Sequence, residues 1–192
     1  MNRLEPLDRK RLLAIAHAAI EAAIVSGRRF GLDPADLPEI LFSPAAAFVT
    51  LHKGGELRGC IGLMRFEAPV WLNVRDAAVA AARDDPRFMP VRESEVPALD
   101  LEISVLEPPV PIADPAEFVA GRHGIVVERG LRRGLLLPQV ATEQGWGEAE
   151  MLDCVCRKAG LPGDAWQDRG TKLFIFDSFH FGDEDEAAVA EP

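Results

Sequence analysis

The sequence predicts an α+β fold with a mostly antiparallel sheet and flanking helices. Strand-like runs come in adjacent pairs joined by glycine-containing turns, which is the pattern of β-hairpins. Segments with apolar residues at helical spacing separate these pairs. The length of 192 residues and the hydrophobic content of 48% suit one domain, or one domain with two lobes, around a sizeable core.

The first half of the chain predicts a helix, a hairpin and a second helix. Residues 7–27 carry apolar side chains every three to four positions, which indicates an amphipathic helix. Residues 45–52 and 57–62 are apolar runs on either side of a turn that contains Gly-Gly at residues 54–55, which favours a hairpin. Residues 68–84 form an alanine-rich helical stretch, and a following proline ends it.

The second half predicts a strand, a short helix, another hairpin and a longer helix. Residues 99–107 alternate between apolar and polar side chains, which is typical of a half-buried strand. Residues 114–120 begin with Asp-Pro, a common helix start. Residues 123–129 and 134–140 read as the second hairpin, and residues 148–159 as a helix that a glycine ends.

The last predicted strand covers residues 171–181, so the folded domain is expected to span residues 7–182. Residues 183–192 contain five carboxylates and no cation, and are expected to form a disordered acidic tail. The formal net charge is −10, and half of it lies in this tail. The remaining balance and the aromatic content of only 7% disfavour nucleic-acid binding, which needs clustered cations and stacking side chains.

The cysteines and the terminus favour a cytoplasmic protein without a membrane partner. There are three cysteines, and Cys154 and Cys156 are two residues apart, which does not suggest a disulfide framework. The first residues lack the layout of a signal peptide, and no apolar run approaches the ~20 residues of a membrane helix.

The hexapeptide Leu57–Gly62 is the main candidate site, and Cys60 in it has three readings. As a nucleophile, Cys60 would need a nearby charge and a base, for which Arg58 on the same strand face and His123 are the candidates. As a metal ligand it lacks a local partner at ligand spacing, so no metal site is predicted. As a buried small side chain it needs no partner.

The candidate ligand-binding residues are Arg58, Gly59, Gly62, Asp85, Arg87 and Glu102. Arg58 suits a clamp on a carboxylate or phosphate, or an ion pair with Glu102 or Asp85. Asp85 is expected to pair with Arg87 or to cap the turn that joins them. Glu102, on the polar face of its strand, suits either a general base or an exposed ion pair. The two glycines indicate a strand bend, a bulge or close helix packing, or a backbone that lines a cleft.

Several blocks together resemble the AMMECR family, the bacterial and archaeal members of which are also called protein A of the AmmeMemoRadiSam system. The signature is Leu57–Gly62, read LRGCIG. The supporting blocks are Ala47–Leu51, Asp85–Phe88, Glu102–Leu106, His123–Ile125, Leu135–Val140, Trp146 and Lys158–Leu161. The resemblance covers roughly Leu12 to Phe181. It implies one domain of two unequal lobes, a cleft near the signature, and a Memo-type protein and a radical-SAM protein as companions, but no established activity.

Two functions remain open from the sequence, and a third is disfavoured. The first is an accessory protein that binds a partner protein or a small ligand at the Leu57–Gly62 cleft. The second is an enzyme, or an enzyme component, that acts on a small molecule with the Cys60 thiol. The third, an RNA-related role, is disfavoured by the acidity of the chain. The sequence identifies no cofactor.

Overall fold

The structure is a computed structural model that describes residues 4–188. The helices are α1 (Pro6–Ile24), α2 (Val70–Arg83), α3 (Gln139–Gln144), α4 (Glu148–Lys158) and α5 (Asp183–Ala188). The strands are β1 (Ala46–Lys53), β2 (Glu56–Leu63), β3 (Leu99–Leu106), β4 (Val110–Ile112), β5 (His123–Arg129), β6 (Arg132–Leu136) and β7 (Lys172–Gly182). The predicted α+β class is confirmed, and each of the strand pairings detailed below is antiparallel.

The chain divides into two compact units. Unit 1 comprises the chain up to Leu106 together with the segment from Phe179 onward, and unit 2 comprises Glu107–Ser178. Strand β7 therefore contributes its last residues to unit 1 and the rest to unit 2.

Unit 1 is a sheet with the strand order β2-β1-β3-β7 and helices α1 and α2 on one face. The β1–β2 turn uses Gly54 and Gly55, whose φ angles of 59° and 81° are accessible to glycine at little cost. Helix α2 packs on β1 and β2, and α1 packs on α2 and β3. The core between them includes fully buried Leu12, Val49 and Ile103. The predicted hairpin and both predicted helices are thus confirmed.

Unit 2 has its own sheet and its own core. Strand β5 pairs with β6 on one side and with β7 on the other, and β4 also pairs with β7. Helix α4 packs on β5 and β6, and Phe118, Ile125 and Met151 are fully buried. Trp146 and Trp166 pack against this core.

The two units use glycine in the same two ways. In unit 1 a Cβ on Gly59 of β2 would lie closer than 3.0 Å to the carbonyl oxygen of an α2 residue, and in unit 2 a Cβ on Gly134 of β6 would do the same toward α4. A phenylalanine ring of the neighbouring strand likewise covers Gly62 of β2 and Gly124 of β5. Glycine is required at these positions because a helix backbone or an aromatic ring occupies the space of a side chain.

The structure differs from the sequence-based expectations at three places. Strand β6 ends at Leu136, and helix α3 follows where a strand to residue 140 was expected. The helix expected at residues 114–120 is a short 3₁₀ turn at Pro115–Glu117, with the carboxylate of Asp114 accepting the Ala116 N–H at 2.9 Å. The strand ends early because Pro138, which has no N–H to donate to a sheet, precedes α3. The 3₁₀ turn is short because the chain is already extended at Phe118.

The third difference is at the expected acidic tail. Residues 183–188 form helix α5, while residues 189–192 lie outside the described residues. Asp183 fixes the start of α5, because its carboxylate accepts the Leu101 N–H and binds His17 Nε2, each at 2.8 Å. Among the described residues, no helix is long and apolar enough to cross a membrane.

Candidate functional site

The signature Leu57–Gly62 lies in β2, the edge strand of the unit 1 sheet, and Gly59 packs directly beneath α2. The carbonyl oxygen of Ala81 in α2 occupies the space that a Cβ on Gly59 would need. On the opposite face, the ring of Phe48 covers Gly62. Both glycines are therefore explained by close packing.

Asp85 attaches the loop after α2 to the outer edge of β2. Its side chain is only 2% exposed and accepts the Cys60 N–H at 2.8 Å. Arg87 donates to the same carboxylate from Nε at 3.0 Å and from Nη2 at 2.7 Å, and its Nη2 also approaches the Cys60 carbonyl oxygen at 3.4 Å. The expected Asp85–Arg87 pair is thus present, and it covers a sheet edge that would otherwise expose unpaired backbone groups.

The Arg87 guanidinium holds the pKa of Asp85 well below its usual range, and the N–H groups of Cys60 and Arg87 add to this effect although burial opposes it. Asp85 is therefore a charged acceptor at neutral pH. With four hydrogen bonds from protein donors, it is committed to the protein itself.

The guanidinium of Arg58 is also hydrogen-bonded within the protein, to a residue that the sequence did not indicate. Its Nε and Nη2 donate to the two carboxylate oxygens of Glu95 at 3.2 and 3.0 Å, and its Nη1 donates to the Met89 carbonyl oxygen at 2.9 Å. The expected partners Glu102 and Asp85 were wrong, because β1 lies between β2 and the strand of Glu102, and because Arg87 and Cys60 already occupy Asp85.

Glu95 binds other donors besides Arg58. It also accepts from Lys53 Nζ at 2.9 Å and from the Arg92 N–H at 3.0 Å. The hydrogen bonds from Arg58, and then those from Arg92 and Lys53, hold the pKa of Glu95 well below its usual range. The Arg58 side chain is only 16% exposed, so it supports the loop rather than presenting a free guanidinium.

Three side chains form a row across the face of the sheet that points away from α2. Cys60 of β2, Thr50 of β1 and Glu102 of β3 are register neighbours, and all three are half-buried. Thr50 Oγ1 donates to Cys60 Sγ at 3.2 Å. The two side chains lie close because the Cys60 N–H points outward to Asp85, which makes this a non-hydrogen-bonded strand pair.

This polar row, Cys60–Thr50–Glu102, includes a residue that sequence reasoning missed. Thr50 lies ten positions from Cys60, and a β-bulge at Arg58 brings the two opposite each other, because the register that the Gly-Gly turn sets would pair Thr50 with Gly59. The hydrogen bond to Asp85 and, to a smaller extent, the Cys60 side chain raise the pKa of Arg87, so this guanidinium is the cation near the thiol. Thr50 gives the thiol a polar contact, and no base among the described residues hydrogen-bonds to it.

His123, the expected base, belongs to unit 2, whereas Cys60 belongs to unit 1. It is buried at the start of β5, where its Nδ1 accepts the Val119 N–H at 3.1 Å. That bond leaves Nε2, which lies 4.0 Å from the carboxylate of Asp177, as the ring nitrogen that carries the proton. The pairing of His123 with Cys60 stays a prediction.

A cavity of about 360 Å³ lies in unit 1 next to the polar row and shares Glu102 with it. The titratable residues that line it are Asp100, Glu102, Asp183, Glu184, Asp185, His52 and His180. Among the described residues that line this acidic cavity there is no lysine or arginine. No three His, Cys, Asp or Glu side chains in the described part of the chain are arranged to hold a metal ion.

The contact between His17 and Asp183 stabilises the wall of the acidic cavity. The hydrogen bond to Asp183 raises the pKa of His17, against the opposing effect of burial. Burial alone would raise the pKa of Asp183, but the hydrogen bonds from His17 and the Leu101 N–H outweigh it and lower that pKa. The pair links α1 to the start of α5.

Comparison with known proteins agrees with the blocks of the sequence. The sequence model of the AMMECR1 family matches residues 13–181. A protein of Methanothermobacter thermautotrophicus is 44% identical over 91% of this chain and 96% of its own length. A protein of Pyrococcus furiosus is 42% identical over 90% of this chain and 87% of its own length.

A solved structure has the same fold. The crystal structure of an uncharacterised protein from Pyrococcus horikoshii matches with a TM-score of 0.79 and 40% sequence identity, over 91% of this chain and 90% of that one. Since the family match and these relatives extend over nearly the whole chain, the chain belongs to the AMMECR1 family.

Proposed function

We propose that this chain is a non-catalytic binding module, and that its ligand is a positively charged segment of a partner protein. The segment would lie on the polar row Cys60–Thr50–Glu102 and reach into the acidic cavity. The observation that carries the proposal is the charge of that cavity, in which five carboxylates and two histidines line about 360 Å³.

The ion pairs of the arginines near Cys60 support binding over catalysis. Arg58 is held by Glu95, and Arg87 is held by Asp85. The charged groups beside Cys60 therefore stabilise the loop at the sheet edge. What remains for a ligand is the half-buried polar row, and its thiol contacts a hydroxyl instead of a base.

The charge and extent of the surface favour a basic protein segment. Lysine and arginine side chains complement a cavity lined by carboxylates, and such complementarity sets association rate and specificity. The polar row crosses three strands, or roughly 10 Å at the usual spacing of neighbouring strands. The Memo-type and radical-SAM proteins that accompany this family are the first partners to test.

The experiment measures binding of the full chain to purified Memo-type and radical-SAM proteins by calorimetry. Glu102→Lys reverses one charge that the row and the cavity share, so we expect it to weaken binding by about tenfold or more. Glu143→Lys makes the same charge change at an exposed position of α3 in unit 2, and it should bind as the wild type does.

The same calorimetry is repeated at rising salt concentration and with bulk RNA in place of the partner protein. Binding to an acidic surface should weaken as salt rises, because screening reduces the attraction between exposed charges. Equal affinity of the wild type and Glu102→Lys, or no binding to either partner, would contradict the proposal. Salt-dependent binding of bulk RNA instead would favour the RNA-related alternative.

A further inference from the structure

A second cavity in unit 1, of about 360 Å³, has the opposite charge. It lies between the second half of α1 with its following loop and the solvent side of α2. The charged residues that line it are four arginines and two aspartates: Arg28, Arg29, Arg75, Arg83, Asp76 and Asp84. This arginine pocket is locally cationic in a chain whose formal net charge is −10.

The positive charge of the arginine pocket is largely uncompensated. Within the described part of the chain, Arg28, Arg29 and Arg83 make no ion pair and no side-chain hydrogen bond. Asp76, in contrast, already holds two cations, Arg65 at 2.9 Å and Arg75 at 2.7 Å. The unpaired charges on the wall are therefore three guanidinium groups and the carboxylate of Asp84, so the wall keeps a net positive charge.

Arg75 is a fixed positive charge in the inner wall of the pocket. It is 9% exposed, its guanidinium lies 5.4 Å from the centre of the Trp71 ring, and its Nε donates to Asp76 Oδ1 at 2.8 Å. Its Nη2 lies 2.7 Å from the same oxygen. Arg75 is therefore held by Asp76, and the groups free to bind a ligand are the unpaired arginines around it.

The remaining wall of the pocket is apolar. Small side chains of α1 and α2, including Ala19, Ala23 and Ala80, leave room, and the half-buried ring of Phe30 closes one side. A volume of this size suits a small organic molecule better than a bare ion. The complementary ligand has an apolar body and a compact group with several acceptor oxygens.

We propose that the arginine pocket binds a small phosphate monoester, with its phosphate on the unpaired Arg28, Arg29 and Arg83 and its apolar body against Phe30. A phosphate monoester carries about −1.5 to −2 charges at pH 7 and three acceptor oxygens. That matches several free guanidinium groups better than a single carboxylate does, and arginine binds phosphate bidentately. This site is separate from the acidic cavity and does not depend on the proposed function.

The test is calorimetric titration of the full chain with AMP, adenosine and inorganic phosphate, each up to about 1 mM, the weak end of specific binding. We expect AMP to bind one-to-one and more tightly than either fragment. The double substitution Arg28→Gln and Arg83→Gln removes two exposed, unpaired charges, so the variant should fold and lose roughly ten- to a hundred-fold in affinity.

The matched control is Arg122→Gln, which removes an exposed arginine of unit 2 with no side-chain partner among the described residues. It should bind AMP as the wild type does. The proposal is overturned if AMP gives no binding, if Arg122→Gln weakens binding as much as the double substitution, or if adenosine binds as tightly as AMP. Phosphate binding as tightly as AMP would also overturn it, in favour of a site for the free anion.

Discussion

Replacing Asp85 by asparagine keeps the shape of a nearly buried side chain but removes its charge and one acceptor oxygen. Oδ2 accepts from the Cys60 N–H at 2.8 Å and from Arg87 Nη2 at 2.7 Å, while Oδ1 accepts from the Arg87 N–H and Nε, both at 3.0 Å. Whichever oxygen becomes an amide nitrogen, one backbone N–H and one guanidinium N–H lose their acceptor.

The two losses differ in size. An unsatisfied backbone donor at the covered sheet edge costs about 1–3 kcal/mol, and the lost contact with Arg87 adds little, because the Arg87 side chain is 54% exposed and screened by solvent. We therefore expect Asp85→Asn to lower the free energy of unfolding by about 1–3 kcal/mol. The melting temperature should fall by roughly 2–4 °C per kcal/mol in a chain of this length.

Equilibrium unfolding in guanidinium chloride, followed by circular dichroism, measures this difference. The control is Asp84→Asn, at an exposed aspartate with no side-chain partner among the described residues, and it should change the free energy of unfolding by less than about 0.5 kcal/mol. If both variants are as stable as the wild type, Asp85 does not attach the loop, and the structural role given to it here is refuted.

The pH dependence gives a second check on the same variant. The pKa of Asp85 is lowered on folding from 3.8, so its contribution is fully present above about pH 4 and is lost as pH falls toward the lowered value. The stability difference between the wild type and Asp85→Asn should therefore shrink below pH 3.8. A difference that grows on acidification would contradict the assigned hydrogen bonds.

Two further predictions concern packing and α5. Gly59→Ala places a methyl group against the Ala81 carbonyl of α2 and should lower the free energy of unfolding by about 2–3 kcal/mol, whereas Gly31→Ala, with open space around it, should be near neutral in the same denaturation assay. His17→Gln removes the ion pair with Asp183. The contribution of His17 to stability is present below its unfolded pKa of 6.5 and is lost as pH rises through its raised folded pKa. The contribution of Asp183, whose pKa is lowered on folding, is lost below 3.8. The variant should therefore differ most in stability from the wild type between pH 3.8 and 6.5. The difference should stay below about 1 kcal/mol, because His17 is 40% exposed. A maximum near pH 9 would contradict the assigned ion pair.

Local features of the site were predictable because they depend on neighbouring residues. The Gly54-Gly55 turn was predictable and fixes the hairpin. The common face expected for Arg58 and Cys60 was not, because a β-bulge leaves Arg58 without a strand partner and breaks the two-residue period there. The pair between Asp85 and Arg87 spans two positions, so the sequence alone suggested it.

Contacts between distant segments were not predictable from the sequence. Arg58 and Glu95 are 37 positions apart, and His17 and Asp183 are 166 positions apart. Such pairs depend on how loops and helices pack, which local propensity does not encode. The same limitation affects Glu102, whose place beside Thr50 follows from strand order alone.

The central claim is that the signature cysteine lies on a binding surface and does not act as a nucleophile. The direct measurement is the alkylation rate of Cys60 by iodoacetamide from about pH 6 to 9, followed by peptide mass spectrometry in folded and denatured chains. Cys156, which is buried and whose pKa is raised by that burial, serves as a protected internal control. The account predicts that Cys60 in the folded chain reacts no faster than in the denatured chain at any pH. A folded rate about tenfold higher, with a plateau near neutral pH, would contradict it and identify Cys60 as an activated thiol.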